Sequence, residues 1–268
     1  MRMYFFRGIK CFFLLFLLIS KFQWVYPFEE VRAIDVRTLS LGQMKAMSQG
    51  FINPAYLPFA KRKQIGVSVF NRFEMKELNT RSVYGLIPNR LLDLNFRLST
   101  FGYDEYQLIE GQAGFAKKLS QGFSIGTSVS YLMQNSILEE RNQSYLLADL
   151  SLFWRINETF EWALTTENLI HTRNSQPIFC FTGVQYQLIP TSCLLLECGY
   201  DFRNSFNVSA GLEYEIIKEL MVRGGFRNNL QTPSLGFAYQ IEHWNIESAF
   251  LFHPTLGISS GIAIGYLF

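Results

Sequence analysis

From about residue 64 to the end of the chain, bulky apolar side chains recur at every second position, with small or polar residues between them. In "FNVSAGLEYEI", Phe206, Val208, Ala210, Leu212, Tyr214 and Ile216 share one parity, opposite Asn207, Ser209, Gly211, Glu213 and Glu215. A strand points successive side chains to opposite faces, so this segment reads as a strand with one greasy and one polar face. The dyad returns in "FSIGTSVSY" (123–131), in "WNIESAFLF" (244–252) and in the closing "GISSGIAIGYLF" (257–268). A soluble sandwich pairs its apolar faces in a core. A membrane barrel turns them to lipid and lines its lumen with polar and small groups.

Turn chemistry favours the barrel. Tight breaks fall near Asn89-Arg90, Ser120-Gln121, Asn157-Glu158, Pro190-Thr191, Lys218-Glu219 and Glu242-His243. Each interval holds two strands of about ten residues and one loop, so each is one hairpin. The opposite ends carry longer connections, such as "NSILEERNQS" (135–144) and "HTRNSQP" (171–177). The fold expected is all-β: a transmembrane antiparallel β-barrel of about fourteen strands over 64–268, an even number that brings the last strand back beside the first. Closure pairs every edge, which lipid demands because an unsatisfied backbone group there costs several kcal/mol. The 26 Phe and 13 Tyr of the 268 residues suit such a surface.

The first 26 residues hold four basic residues (Arg2, Arg7, Lys10, Lys21) and no acidic one, leaving 20 basic against 22 acidic residues in the remainder. That balance supplies no cationic field for nucleic acid. Three of the cations precede the apolar run "CFFLLFLLIS" (11–20), which has the length of a secretory core and is too short to span a bilayer. Residues 1–27 are therefore expected to be a signal peptide, cleaved between 22 and 33. Cys11 precedes the run and is not placed as a lipoprotein cysteine.

The closing strand carries apolar residues at every second position, Ile262, Ile264 and Tyr266, before a terminal Phe268. As a set they resemble the signal by which barrel-assembly machinery recognises its substrates, which makes that machinery and outer-membrane lipid the expected partners. Residues 34–70, "IDVRTLSLGQMKAMSQGFINPAYLPFAKRKQIGVSVF", also resemble the FadL-like outer-membrane family, especially its PorV/PorQ-type members. There an Arg-x-x-x-Leu-Gly segment leads through a small helix into Asn-Pro-Ala-x-Leu. Arg37, Leu41-Gly42 and Asn53-Pro54-Ala55-Tyr56-Leu57 match that outline, and residues 101–132 look like the family's central hairpin. Read locally, the Asn-Pro step is also compatible with an ordinary turn, since Pro54 pushes Asn53 out of the helical region.

The resemblance implies an N-terminal plug over 34–63. That segment lacks strand alternation, has a candidate short helix around Ser40 to Ser48, and ends in a cationic "KRK" (61–63) suited to the carboxylates Glu161, Glu213, Glu215 and Glu247. On the polar parity of their strands lie Asp149, Arg155, Glu161, Glu167, Glu213, Glu215, Arg223, Arg227 and Glu247, expected to line the lumen as a hydrated salt-bridge network or as a substrate path.

Catalytic constellations are thin, and no enzyme, metal or cofactor is expected. His171, His243 and His253 fall on separate hairpin ends, and neither a phosphate loop nor a nucleophile elbow occurs. Cys180 and Cys198 flank the Pro190 turn nearly equidistantly, so they either face each other in a disulfide or stay, with Cys193, as small hydrophobes. What the resemblance implies is passage or binding of an apolar small molecule. The alternatives are a non-transporting platform for secreted proteins, as in PorV-type members of type IX secretion, and a lipid hydrolase, for which no convincing Ser/His pair is present.

Overall fold

The computed structural model describes residues 35–137, 143–172, 177–202, 205–228 and 231–268. The expected signal peptide, its cleavage window, residue 34 and parts of the loops 135–144 and 171–177 lie outside the described residues. The strands are β1 (Gln64–Asn71), β2 (Asn79–Ile87), β3 (Asp93–Tyr103), β4 (Tyr106–Lys118), β5 (Phe123–Ser136), β6 (Gln143–Arg155) and β7 (Phe160–His171). They continue as β8 (Phe179–Ile189), β9 (Ser192–Asp201), β10 (Ser205–Ile217), β11 (Leu220–Arg227), β12 (Thr232–Ile241), β13 (Trp244–His253) and β14 (Gly257–Leu267). Each pairs antiparallel with its neighbours in sequence, and β14 pairs with β1, so the fourteen strands form one closed barrel.

The alternation decides which way each side chain points. In β14, Ile262 and Ile264 are exposed on the outer wall, while Gly261, Ala263 and Gly265 face inward and are buried. The seam with β1 aligns Val67 with Ile264 and Val69 with Ile262, making a continuous outer apolar ridge where the ends of the sheet meet. Phe268 donates its backbone N–H to the carbonyl of Lys63, the last rung of that seam. All six breaks expected from the sequence are turns, and all lie at the end of the barrel where β1 begins and β14 ends.

The one interruption of the β6–β7 ladder is a bulge. Register shifts between Ala148 and Leu150, where Asn168 of β7 adopts a left-handed φ of 59°. Asp149 stabilises it by accepting the Asn168 backbone N–H (2.8 Å), and the Thr166 hydroxyl oxygen accepts the Leu150 N–H (3.1 Å). Side chains thus satisfy two backbone donors that the ladder leaves without partners.

The cysteine pair does not form. The β8–β9 register sets Cys180 opposite Tyr200 and Cys198 opposite Thr182. The two thiols are therefore diagonal neighbours, roughly 7–8 Å apart at the backbone, too far for a disulfide without moving the chain. All three described cysteines are free.

Candidate functional site: the lumen and its plug

Residues 35–60 lie inside the barrel and are mostly buried. Helix α1 (Val36–Leu39) begins at Asp35, whose carboxylate accepts the Arg37 N–H and the Ser48 hydroxyl (both 3.0 Å). Its Val36 and Leu39 pack against Phe70, Ala249, Leu251 and Ala263 of the wall. The helix expected over Ser40 to Ser48 is absent: those residues form turns, and the one helical turn comes earlier. Two consecutive residues with positive φ, Gly42 and Gln43, stop it. A Cβ at Gly42 would meet the Phe226 carbonyl oxygen at 2.7 Å, so only glycine allows this approach to the wall. Wall hydroxyls then take up the freed backbone groups: Ser234 accepts the Gly42 N–H (3.0 Å) and donates to the Ser40 carbonyl (3.0 Å), and Ser209 donates to the Gly42 carbonyl (2.7 Å).

Four candidate residues from distant positions form one buried chain of charge. Arg37 grips Glu213 through Nε (2.9 Å) and Nη2 (2.6 Å), and also donates to the Met47 carbonyl. Arg223 bonds the same carboxylate at 2.8 Å and reaches Glu247 at 3.2 Å. Burial works against the charge of Arg37, but Glu213 outweighs it and holds the guanidinium protonated beyond its ordinary range. Burial, reinforced by the charge of Glu247, pushes the Asp35 carboxyl up to about 6.

A second anchor joins the candidate Glu167 to Glu197, which was not among the candidates. Glu197 of β9 accepts the backbone N–H groups of Lys45 (2.8 Å), Ala46 (2.8 Å) and Met47 (3.3 Å), while the Lys45 ammonium bonds Glu167 at 2.7 Å. Glu197 shares its parity with Cys193, Leu195 and Gly199, so its strand shows no polar stripe from which to pick it out. Its one legible sign is an acidic residue inside an otherwise apolar run, "CLLLECGY".

The later part of the plug is held differently. Asn53, extended at φ −98°, caps a 3-10 helix over Pro54–Phe59 by accepting the Ala55 N–H at 3.0 Å. Leu41, Ala55, Tyr56 and Phe59 join a cluster with Phe153, Ala163, Phe181 and Leu195 of the wall, and Leu57 joins Phe51, Ile52, Tyr84, Leu86 and Ala116 in another. Burial raises the Tyr56 phenol to about 12, so it stays neutral. Ser124 donates to the Ala55 carbonyl, and Asn95 to that of Gly50 (2.6 Å).

The remaining candidates fall elsewhere. Asp149 supports the β7 bulge. Arg155 and Glu161 pair at 2.7 Å near the short-turn mouth, beside a cleft of about 650 Å³ that Tyr56, Phe59 and Arg155 help to line. Arg227 is buried and its charge reaches Glu197, and Glu215 is half-buried near the same mouth. The cationic Lys61-Arg62-Lys63 does not enter the lumen: all three are exposed. Arg37, Lys45 and Arg223 already neutralise the buried carboxylates, and lysines keep their hydration when water is available.

Towards the long-loop end the lumen changes character. Phe101, Leu108, Leu132, Tyr145 and Leu147 of β3 to β6 form an apolar cluster with Leu78 and Tyr106, to which no plug residue contributes. Between it and the plug lies the buried pair Arg97–Glu110 (3.3 Å), with Arg97 over the Phe51 ring.

A closed antiparallel barrel of fourteen strands with its N-terminal segment wedged into the bore is the class of fold that these residues define. No protein-family model and no curated sequence matches the chain. Among solved structures it is similar to the CymD monoaromatic hydrocarbon channel (TM-score 0.69, 10% identity, covering 89% of this chain and 98% of that one). It is also similar to a Pseudomonas aeruginosa FadL homologue (0.68, 9%, 88% and 98%). A third match is the Pseudomonas putida toluene transporter TodX (0.59, 11%, 86% and 95%). The FadL-like resemblance therefore holds as a shared fold over nearly the whole length of these channels, none of which is of PorV or PorQ type.

Proposed function

We propose that the chain is an exported outer-membrane barrel of a Gram-negative envelope, inserted by barrel-assembly machinery, which takes an apolar small molecule into the lumen and passes it as the plug yields. The observation that carries this reading is the apolar cluster at the long-loop end of the lumen, Phe101, Leu108, Leu132, Tyr145 and Leu147, to which no plug residue contributes. Inward apolar side chains beyond the reach of the plug have neither lipid nor plug residues to cover them, so a ligand of like polarity is what they suit. The proteins of similar fold are described as channels for monoaromatic hydrocarbons and toluene, which agrees in ligand class. Nothing described here favours the platform for secreted proteins.

Binding of the apolar fluorophore N-phenylnaphthylamine to the purified barrel, with displacement by toluene, tests the reading. Leu132→Asp, which puts a charge in this cluster and leaves the outer wall intact, is expected to weaken binding by about tenfold or more. Equal binding by both proteins, each shown to be folded by heat-modifiable migration, would sink it.

A further inference from the structure

The outer wall is mostly apolar, broken by small polar residues such as Thr127, Thr182 and Ser248, and it carries few charges. Among the described strand residues that face outward, the charged ones are Lys117, next to the last residue of β4 at the short-turn end, and Arg81, near the long-loop end of β2. Arg81 is exposed and lies between Val69 of β1 and Thr100 of β3, with the outward Val83 and Leu98 next along the wall. A cation on the lipid face costs about 2–4 kcal/mol at mid-bilayer and close to nothing at the interface, so this position belongs at headgroup level.

Arg81 lines a cleft of about 420 Å³, together with Lys76, Asn79, Thr100, Asp104 and Gln107. Gly102, directly across from Gln107, also lines it; its Cα lies so close to the Tyr106 carbonyl that no Cβ would fit there. Among the described residues Lys76 and Arg81 make no ion pair. The Oδ1 of Asn79 is buried and accepts no hydrogen bond.

The β1–β2 connection that supplies Lys76 is held in place, so the cleft is preformed. Arg72 is buried beneath it, between the Phe70 and Phe101 rings (4.7 and 5.2 Å), and donates to Thr80 at 2.7 Å. Phe73, at a left-handed φ of 55°, gives its N–H to Ser259 (3.0 Å) and sets its ring edge-on to His253.

We propose that this cleft binds the phosphorylated sugar headgroup of an outer-leaflet glycolipid. Two unpaired cations call for an anion, and phosphate meets both through charge-assisted hydrogen bonds. The Asp104 carboxylate and the partnerless Asn79 oxygen are acceptors and call for donors beside that anion. Inorganic phosphate supplies almost none, whereas a sugar brings hydroxyl and amide N–H groups. The acyl chains then lie along Val69, Val83 and Leu98, which adjoin the cleft on the same face. The proposal rests on the outer-membrane reading, in which short turns face the periplasm and the long-loop end faces outward.

The test is native mass spectrometry of the full barrel with bisphosphorylated lipid A, with its dephosphorylated form and with inorganic phosphate, alongside flotation with lipid vesicles. The wild-type barrel is expected to retain the bisphosphorylated lipid. Lys76→Ala combined with Arg81→Ala is expected to lose affinity by about tenfold or more, and Lys117→Ala to lose none. Equal retention by the double variant, or of the dephosphorylated lipid by the wild type, overturns the proposal. Inorganic phosphate held as tightly as the lipid overturns the assignment to a lipid. A barrel that floats with vesicles but fails these arms leaves the outer-membrane reading standing; one that does not float removes that reading and this inference together.

Discussion

The two halves of the plug both pack apolar side chains on the barrel wall, but only the first is also held by buried charge. From Asp35 to Met47 the packing of Val36, Leu39 and Leu41 is joined by buried charge: Arg37 on Glu213, Lys45 on Glu167, and three backbone N–H groups on Glu197. From Phe51 to Phe59 the fastening is mainly apolar, with Tyr56 and Phe59 against Phe153 (ring centroids 5.0 and 4.9 Å) and Leu57 against the β2–β4 wall. The difference lies in how each contact fails. Separating a buried ion pair leaves an uncompensated charge and costs steeply at once, while sliding apolar surfaces forfeits contact in proportion to area. The first half is therefore the fixed anchor and the second the part able to shift, with Gly50 at φ 87° between them.

Removing both halves should have the largest effect. Deletion of residues 35–58 strands Glu213, Glu197 and Glu167 without their plug partners and empties the bore, so single-channel conductance is expected to rise markedly. Unchanged conductance would mean that the segment does not seal the barrel.

The anchor itself can be graded. In Glu213→Gln two buried guanidinium groups lose their shared carboxylate, with an expected loss of about 3–5 kcal/mol in plug docking. In Arg37→Ala the carboxylate keeps Arg223, so the loss should be smaller, about 1–3 kcal/mol. Limited proteolysis of the plug segment reads both, and the reverse order would refute the shared-carboxylate account.

In the apolar half, Leu57→Ala removes a fully buried side chain. It should cost about 2 kcal/mol, the lower end for such truncations, because the plug can settle into the gap. Graded loosening of residues 51–59 by hydrogen exchange, with 35–47 still protected, is the expected pattern. Equal loosening of both halves would show that they move as one body.

The smallest effect is titration of Asp35. A carboxyl raised from its ordinary 3.8 to about 6 binds its proton more tightly when folded. Its stabilising contribution is complete below about pH 4 and is lost as pH rises through 6. Plug protection should therefore improve modestly on going from pH 7.5 to 5, and Asp35→Asn should remove that dependence. A response of the same size in the variant would assign the titration to another group.

Much of the wall was legible without coordinates. The dyad of β10, β13 and β14 needs only neighbouring residues to be read, because the period-2 alternation of a strand is a local property and one face had to be apolar. The same holds for the six short turns, whose residues punctuate the chain by their own backbone preferences. Cys180 and Cys198 mark the limit: counting from a turn puts them near one another, but the register that sets Gln187 opposite Cys193 carries through to Cys180 opposite Tyr200 and leaves the pair on a diagonal.

The lumen followed another logic. Parity placed Glu213, the eventual partner of Arg37, on the inner face together with Arg223 and Glu247, and the Asn53-Pro54 step set the plug's second turn. The pairing itself joins residues 176 positions apart, and it sent the anchoring cation to Arg37 in place of Lys61-Arg62-Lys63. Glu197 shows the same dependence, since an acidic residue in an apolar run acquires its meaning when three N–H groups of a plug turn arrive over it. Which way a side chain points is settled by its own strand, and so is written in the sequence. What it meets across the bore depends on closure of all fourteen strands around one folded segment, and only the tertiary structure decides that.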